Sequence, residues 1–82
     1  MTYSEIKDEI RNIVMGFPDF RKDFKDTDLF IINGIIDSQE FLELILTVET
    51  KFNIKIDDTE MLPANVGTVE NLAGFVLDKK GA

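Results

Sequence analysis

The stretch from Ser38 to Phe52 carries an apolar pattern that only a helix buries coherently. At about 100° per residue, Phe41, Leu44, Ile45, Val48 and Phe52 fall within one arc of roughly 100°, the width of a core-facing stripe. Asp37 precedes the stretch as a good N-cap, and Glu40 follows at the spacing of a capping box. Leu42 and Leu46 lie on one flank of the stripe. Ser38 and Glu49 stand between that flank and the core arc, while Glu40, Glu43, Thr47 and Thr50 take the far side. The whole apolar arc approaches about 200°, wider than a surface helix of a small bundle needs. Leu42 and Leu46 are therefore expected to be partly exposed beside Ser38, with an acidic rim of Glu40, Glu43 and Glu49. An apolar spot so rimmed is a docking surface in kind. The alternative is that other helices cover the entire arc.

The rest of the chain also reads as helix and connection, with no convincing strand. Ile6, Ile10, Ile13 and Val14 recur at helical spacing, which predicts a first helix from about Tyr3 to Met15, ended by Gly16 and Pro18. A long connection from Gly16 to Ile36 follows. It carries Phe17, Phe20, Phe24, Leu29, Phe30, Ile31 and Ile32, so it is expected to lie across the bundle rather than in solvent. Asn33-Gly34 marks a turn before the second helix. A short third helix is expected from about Asp57 to Leu62, stopped by Pro63. A fourth is expected from about Thr68, its N-cap, to Lys80, with Val69, Leu72, Ala73 and Val76 on its apolar face. Lys79 and Lys80 suit the negative end of its dipole, and Gly81 a stop. The fold class is all-α: a small four-helix bundle of three longer helices and one short helix, with a long first loop, in a single domain over residues 1–82.

Composition removes several functions. The chain has no histidine, the commonest general base and metal ligand, and no cysteine, the best nucleophile. A serine hydrolase lacks its base here, and the scattered glycines form no phosphate-cradling loop. Calcium loops counted from Asp26 or from Asp57 put Ile31 or Leu62 where glycine is required, so no metal site is expected. Nine basic and sixteen acidic residues give a net charge of −7. That disfavours nucleic acid and anionic membrane, and favours partners with basic faces. Acidic surface also simply confers solubility. The strongest apolar run spans only Leu29 to Ile32, far short of the ~20 residues that cross a bilayer. The N-terminus lacks the pattern of a signal peptide, and the absence of disulfides suits a reducing compartment; both lead to an expectation of a cytoplasmic protein.

One residue then stands out. Ser38 follows the Asp37 cap at a helix start, near the positive end of the helix dipole and its unsatisfied N–H groups. The plain alternative is that Ser38 is an ordinary capping serine. The run Gly34-Ile35-Ile36-Asp37-Ser38 resembles the attachment motif of acyl carrier proteins, a glycine, two apolar residues, aspartate and serine. After it, Leu44, Val48, Glu49, Phe52, Ile54 and Ile56 keep the spacing of that family's second helix and following loop, and Asp28-Leu29-Phe30 resembles the segment before the motif in stand-alone carriers.

The resemblance implies a non-catalytic carrier. Ser38 would hold 4'-phosphopantetheine, transferred covalently from coenzyme A by a phosphopantetheinyl transferase that reads Asp37. Glu40, Glu43 and Glu49 match acidic positions that face basic partner enzymes, Leu42 and Leu46 match apolar docking positions, and Ile56 and Asp58 match further contacts. The implied partners are an acyl- or aminoacyl-loading ligase and downstream synthases or transferases. The carrier itself is expected to be monomeric, and its encounters are expected to weaken with salt. Some positions depart from the pattern. Gln39 replaces the leucine or methionine of many fatty-acid and polyketide carriers. Phe41 replaces a smaller residue and would narrow an internal pocket for an alkyl chain. Thr50 and Lys51 dilute the usual acidic run, and the Leu62–Gly67 segment is slightly long. These point to a specialised carrier of a short acyl or aminoacyl cargo, in a fatty-acid, polyketide or nonribosomal peptide setting, nearest to D-alanyl carrier proteins and discrete peptidyl carriers. The rival reading is an acidic helical interaction module with no prosthetic group.

Overall fold

A computed structural model describes every residue except 19, 21, 22 and 82. The part of the long connection at 19, 21 and 22 therefore lies outside the described residues. Among the described residues the chain is all-helical, with α1 over Tyr3–Met15, α2 over Ser38–Phe52, α3 over Pro63–Val66 and α4 over Val69–Gly81. A single 3₁₀ turn, Asp58–Glu60, stands before α3.

Each long helix starts where a side chain satisfies its orphan N–H groups. Thr2 Oγ1 accepts from the Glu5 N–H at 3.2 Å and Glu5 Oε1 accepts from the Thr2 N–H at 2.8 Å, so a capping box opens α1. Thr68 Oγ1 accepts from the Asn71 N–H at 3.0 Å and caps α4. Asn53, left-handed at φ 54°, closes α2. The Lys80 ammonium of α4 reaches the Phe52 carbonyl at 3.0 Å and satisfies a C-terminal acceptor of α2.

The apolar stripes meet in one core. Ile6, Ile10 and Val14 of α1 pack against Leu72, Ala73 and Val76 of α4, and Leu44, Ile45, Val48 and Phe52 of α2 close the third side. Tyr3 Oη donates to the Glu70 carbonyl at 3.2 Å, and Lys51 pairs with Glu9 at 2.8 Å; the first ties α1 to α4, the second α1 to α2.

The connection lies across the bundle, as its aromatic content requires. Phe24, Phe30, Ile35 and Ile36 are buried, and Phe17 and Phe20 pack on the core. Ile31 and Ile32 depart from the expectation, since both are exposed, Ile32 at 79 %. Two backbone bonds fasten the connection to the α3–α4 junction: the Phe30 N–H to the Gly67 carbonyl at 3.0 Å and the Glu70 N–H to the Asp26 carbonyl at 3.1 Å. Arg11 pairs with Asp26 at 2.9 Å and lies 4.2 Å over the Phe24 ring, which secures the segment to α1.

The third helix is not where the sequence put it. Only Asp58–Glu60 winds, as a 3₁₀ turn, and Pro63 begins α3 instead of stopping a helix. Leu62 is extended at φ −104°, ψ 147°, and proline follows at N1, where its missing N–H costs nothing and its fixed φ suits the helix. Gly81, expected as a stop, is the last residue within α4.

Candidate functional site

The site is built outward from Asp37. Gly34 has φ +71°, a left-handed conformation that glycine adopts without steric cost. The turn it makes lets Ile35 and Ile36 drop into the core, and their N–H groups both bond the Phe30 carbonyl, at 2.9 and 3.2 Å. The chain then emerges at Asp37, extended at φ −88°, ψ 178°. Asp37 Oδ1 accepts from the Glu40 N–H at 2.8 Å, and Glu40 Oε1 accepts from the Asp37 N–H at 3.1 Å. Two buried isoleucines on one side and a reciprocal cap on the other fix the start of α2.

Ser38 is the first residue of that helix and is exposed. The cap is Asp37, and the Ser38 hydroxyl has no protein hydrogen-bond partner among the described residues. It stands on the edge of an open depression formed by Ile31, Gly34 to Asp37 and Glu40. Ile31 also lines a separate apolar recess of about 290 Å³, between residues 29–32, Phe41 and the α3 side chains Pro63 and Val66. Phe41 is half-buried there, its ring centroid 6.2 Å from that of Phe30. The sequence placed Phe41 on the core face and beside an internal pocket, but not the recess's other wall, which comes from α3, a helix that local pattern misplaced.

The residues expected to form a docking surface divide. Leu42 and Leu46 are exposed at 57 % and 63 %, as their flank position predicts. Glu43 is exposed beside them, and Asp58 is exposed at the start of the 3₁₀ turn. Glu40, expected on the rim, is only 9 % exposed and is turned into the capping box. Ile56, expected as a contact, is buried in the core. Glu49 is half-buried, and its Oε2 accepts from the Ile56 N–H at 2.8 Å, which folds the loop after α2 back onto the helix.

No family model matches the chain. Individual proteins do. The D-alanyl carrier protein of Lactococcus lactis is 36 % identical over 72 residues, 88 % of this chain and 89 % of that protein. The acyl carrier protein of Chlorobium phaeovibrioides is 30 % identical over 80 residues, 96 % of this chain and all of that protein. The chain belongs to the acyl carrier protein family. A third member, the acyl carrier protein of Cyanophora paradoxa, is 43 % identical over a shorter span of 51 residues, 61 % of this chain and 48 % of that protein. As an acyl carrier family protein it has the all-helical bundle expected from its sequence, and no described helix is long and apolar enough to cross a membrane.

Proposed function

We propose that the protein is a carrier of acyl or aminoacyl groups, held as thioesters on a 4'-phosphopantetheine arm esterified to Ser38. The observation that carries this reading is the division of labour at the start of α2. Asp37 already caps the helix, so the Ser38 hydroxyl is left exposed and without a protein partner. A capping serine has its oxygen engaged by a backbone N–H; this one is open to react.

The local residues fit the group. The depression beside Ser38 leaves room for an arm to depart, and the first N–H groups of α2 lie at the positive end of the helix dipole, next to where a phosphodiester would sit. The arm would supply a thiol, which a chain without cysteine lacks. The chain's own part is to orient the hydroxyl, through Ile35, Ile36 and the capping box, and to present Asp37 to a phosphopantetheinyl transferase. It performs no catalysis itself. Tethering raises the effective concentration of cargo at each partner's active site.

The whole of residues 1–82 acts as one such domain, as a cytoplasmic monomer served by a loading ligase and by downstream synthases or transferases. A short cargo in a specialised fatty-acid, polyketide or aminoacyl pathway is supported by Phe41, whose ring occupies one wall of the apolar recess. Efficient elongation to long chains by fatty-acid synthases would count against that part.

Intact mass before and after incubation with coenzyme A and a broad-specificity phosphopantetheinyl transferase tests the reading. A gain of one phosphopantetheine, lost in Ser38→Ala, is expected. A folded sample that gains nothing from several transferases is an interaction module instead.

A further inference from the structure

The chain has five asparagines, and Asn33 alone is followed by glycine. An asparagine side-chain amide is open to attack by the backbone nitrogen of the next residue, and a glycine there puts no side chain in the way. Asn12, Asn53, Asn65 and Asn71 are followed by Ile13, Ile54, Val66 and Leu72. Asn12 and Asn71 lie inside α1 and α4. The Ile54 N–H donates to the Glu49 carbonyl at 3.1 Å, and the Val66 N–H to the Leu62 carbonyl at 2.9 Å. Asn33 and Gly34 are exposed on irregular backbone. Apart from the adjoining chain, no atom stands within 4 Å of where a Gly34 side chain would begin, so nothing crowds the pair from that side.

The folded turn restrains both reacting groups. Asn33 Oδ1 accepts from the Leu29 N–H at 2.7 Å, and the Gly34 N–H donates to the Ile31 carbonyl at 3.0 Å. Ring closure needs the Asn33 side chain to leave Leu29 and the Gly34 nitrogen to lose its proton, so it proceeds when the turn opens. Exposed turns open locally at small cost in free energy. Gly34 also makes the left-handed turn, at φ +71°, after which the Ile35 and Ile36 N–H groups bond the Phe30 carbonyl and the chain reaches Ser38.

We infer that Asn33 is a slow modification site, where the side-chain amide hydrolyses through a cyclic imide and the isoaspartate product displaces Ser38. The Gly34 nitrogen gives its proton to solvent base and bonds to Asn33 Cγ. The Cγ–Nδ2 bond breaks, and Nδ2 takes a proton from solvent and leaves as ammonia. Water then opens the imide. Cleavage between the Gly34 nitrogen and Cγ gives aspartate, which keeps an oxygen for the Leu29 N–H. Cleavage between the Gly34 nitrogen and the main-chain carbonyl carbon of residue 33 gives isoaspartate. Its backbone runs through the former side chain and is longer by one atom. That atom enters at the turn that sets Ile35, Ile36 and the start of α2. The consequence for loading at Ser38 rests on the carrier reading.

The test follows the folded apo protein at mildly alkaline pH beside the same protein unfolded in urea, by intact mass and peptide mapping. A gain of about 1 Da is expected at Asn33 before any other asparagine. It should be about tenfold slower in the folded protein than in urea, because two turn hydrogen bonds must open, and it should be lost in Asn33→Gln over the same period. The isoaspartate form, separated by chromatography, is expected to shift the Ile35, Ile36 and Ser38 amide resonances and to gain phosphopantetheine about tenfold more slowly than the parent. Asn33→Asp, the other product, is expected to load as the parent does. Conversion first at another asparagine overturns the inference. So does a folded protein that stays unconverted over many half-lives of the unfolded one, or equal rates in the two. An isoaspartate form whose Ile35 and Ile36 resonances match the parent's overturns it too. Shifted resonances in a protein whose parent gains no phosphopantetheine sink the carrier reading and leave the modification site standing. Equal loading by the parent and the isoaspartate form does the reverse.

Discussion

Asp37 and Glu40 cap each other across the first turn of α2, each carboxylate accepting the other's backbone N–H, at 2.8 and 3.1 Å. The reciprocity sets both the direction in which α2 leaves the Gly34 turn and the exposure of Ser38, which lies between the two residues in sequence. Asp37→Ala and Glu40→Ala should each cost about 1 kcal/mol, the usual worth of a cap. Asp37→Asn, which keeps an acceptor, should cost less. Urea denaturation of the three variants decides it; equal stability throughout would mean that the cap is ornamental.

Glu49 and Glu43 look alike in sequence and differ in role. Glu49→Ala leaves the Ile56 N–H without its acceptor, in a segment whose side chain is in the core. An unsatisfied, partly buried donor costs about 1–3 kcal/mol. Glu43→Ala should stay within about 0.5 kcal/mol, as an exposed substitution does. Faster amide exchange of Ile56 in Glu49→Ala, and not in Glu43→Ala, would locate the effect.

That difference also marks where the sequence stops being legible. Helix α1 was legible from Ile6, Ile10, Ile13 and Val14 at helical spacing, and the start of α2 from Asp37 and Glu40, local signals acting within one turn. The exposure of Leu42 and Leu46 followed from counting around one helix. The bond from Ile56 to Glu49 was not legible, because the two residues lie seven apart through a loop whose path periodicity does not give. Pro63 was misleading for a related reason. Proline is compatible with the position after a helix and with the first position of one. The choice is made by tertiary contacts, namely the burial of Val66 and the bond from Phe30 to the Gly67 carbonyl.

Acid should weaken the fold partly through Glu60. Its carboxylate accepts from the Lys79 ammonium at 2.8 Å and from the Asp57 N–H at 3.0 Å. The Lys79 bond first, and the Asp57 bond second, hold its pKa below the ordinary value of 4.5. A depressed native pKa contributes stability that is present above the unfolded value and is lost as pH falls through the native one. Glu5, lowered chiefly by the Thr2 backbone N–H, acts in the same direction. Melting temperature should therefore fall as pH drops below about 4.5, and Glu60→Gln should flatten part of that fall. In Lys79→Met the Glu60 carboxyl should titrate at higher pH by NMR. An unchanged titration would remove the ion pair from the account.

The α3–α4 junction tolerates no side chain at Gly67. A Cβ there would stand 2.6 Å from the Pro63 carbonyl oxygen, a backbone atom that cannot turn aside. Gly67→Ala must displace the backbone of Pro63 at the start of α3, and it strains the carbonyl that receives the Phe30 N–H. A cost of about 1–3 kcal/mol is expected, typical of overpacking. The same change displaces one wall of the apolar recess, so the Phe30 and Val66 resonances should shift together. A Gly67→Ala protein as stable as the parent would show that the junction is looser than these contacts require.

Phe41 joins the core to the recess, and its truncation separates the two roles. The ring packs against Phe30 at a 46° tilt and is only half-buried, so Phe41→Ala should cost about 2 kcal/mol, below the 3–5 kcal/mol of a fully buried phenylalanine. The space vacated adjoins a recess that already measures about 290 Å³ and is walled by Leu29, Phe30, Met61 and Val66. On the carrier reading, Phe41→Ala should hold longer acyl chains than the parent. The measurement is protection of a graded series of acyl thioesters from hydrolysis, on matched loaded samples. If the longest protected chain is the same in both proteins, Phe41 is a core residue only, and the limit on cargo lies with the loading enzyme.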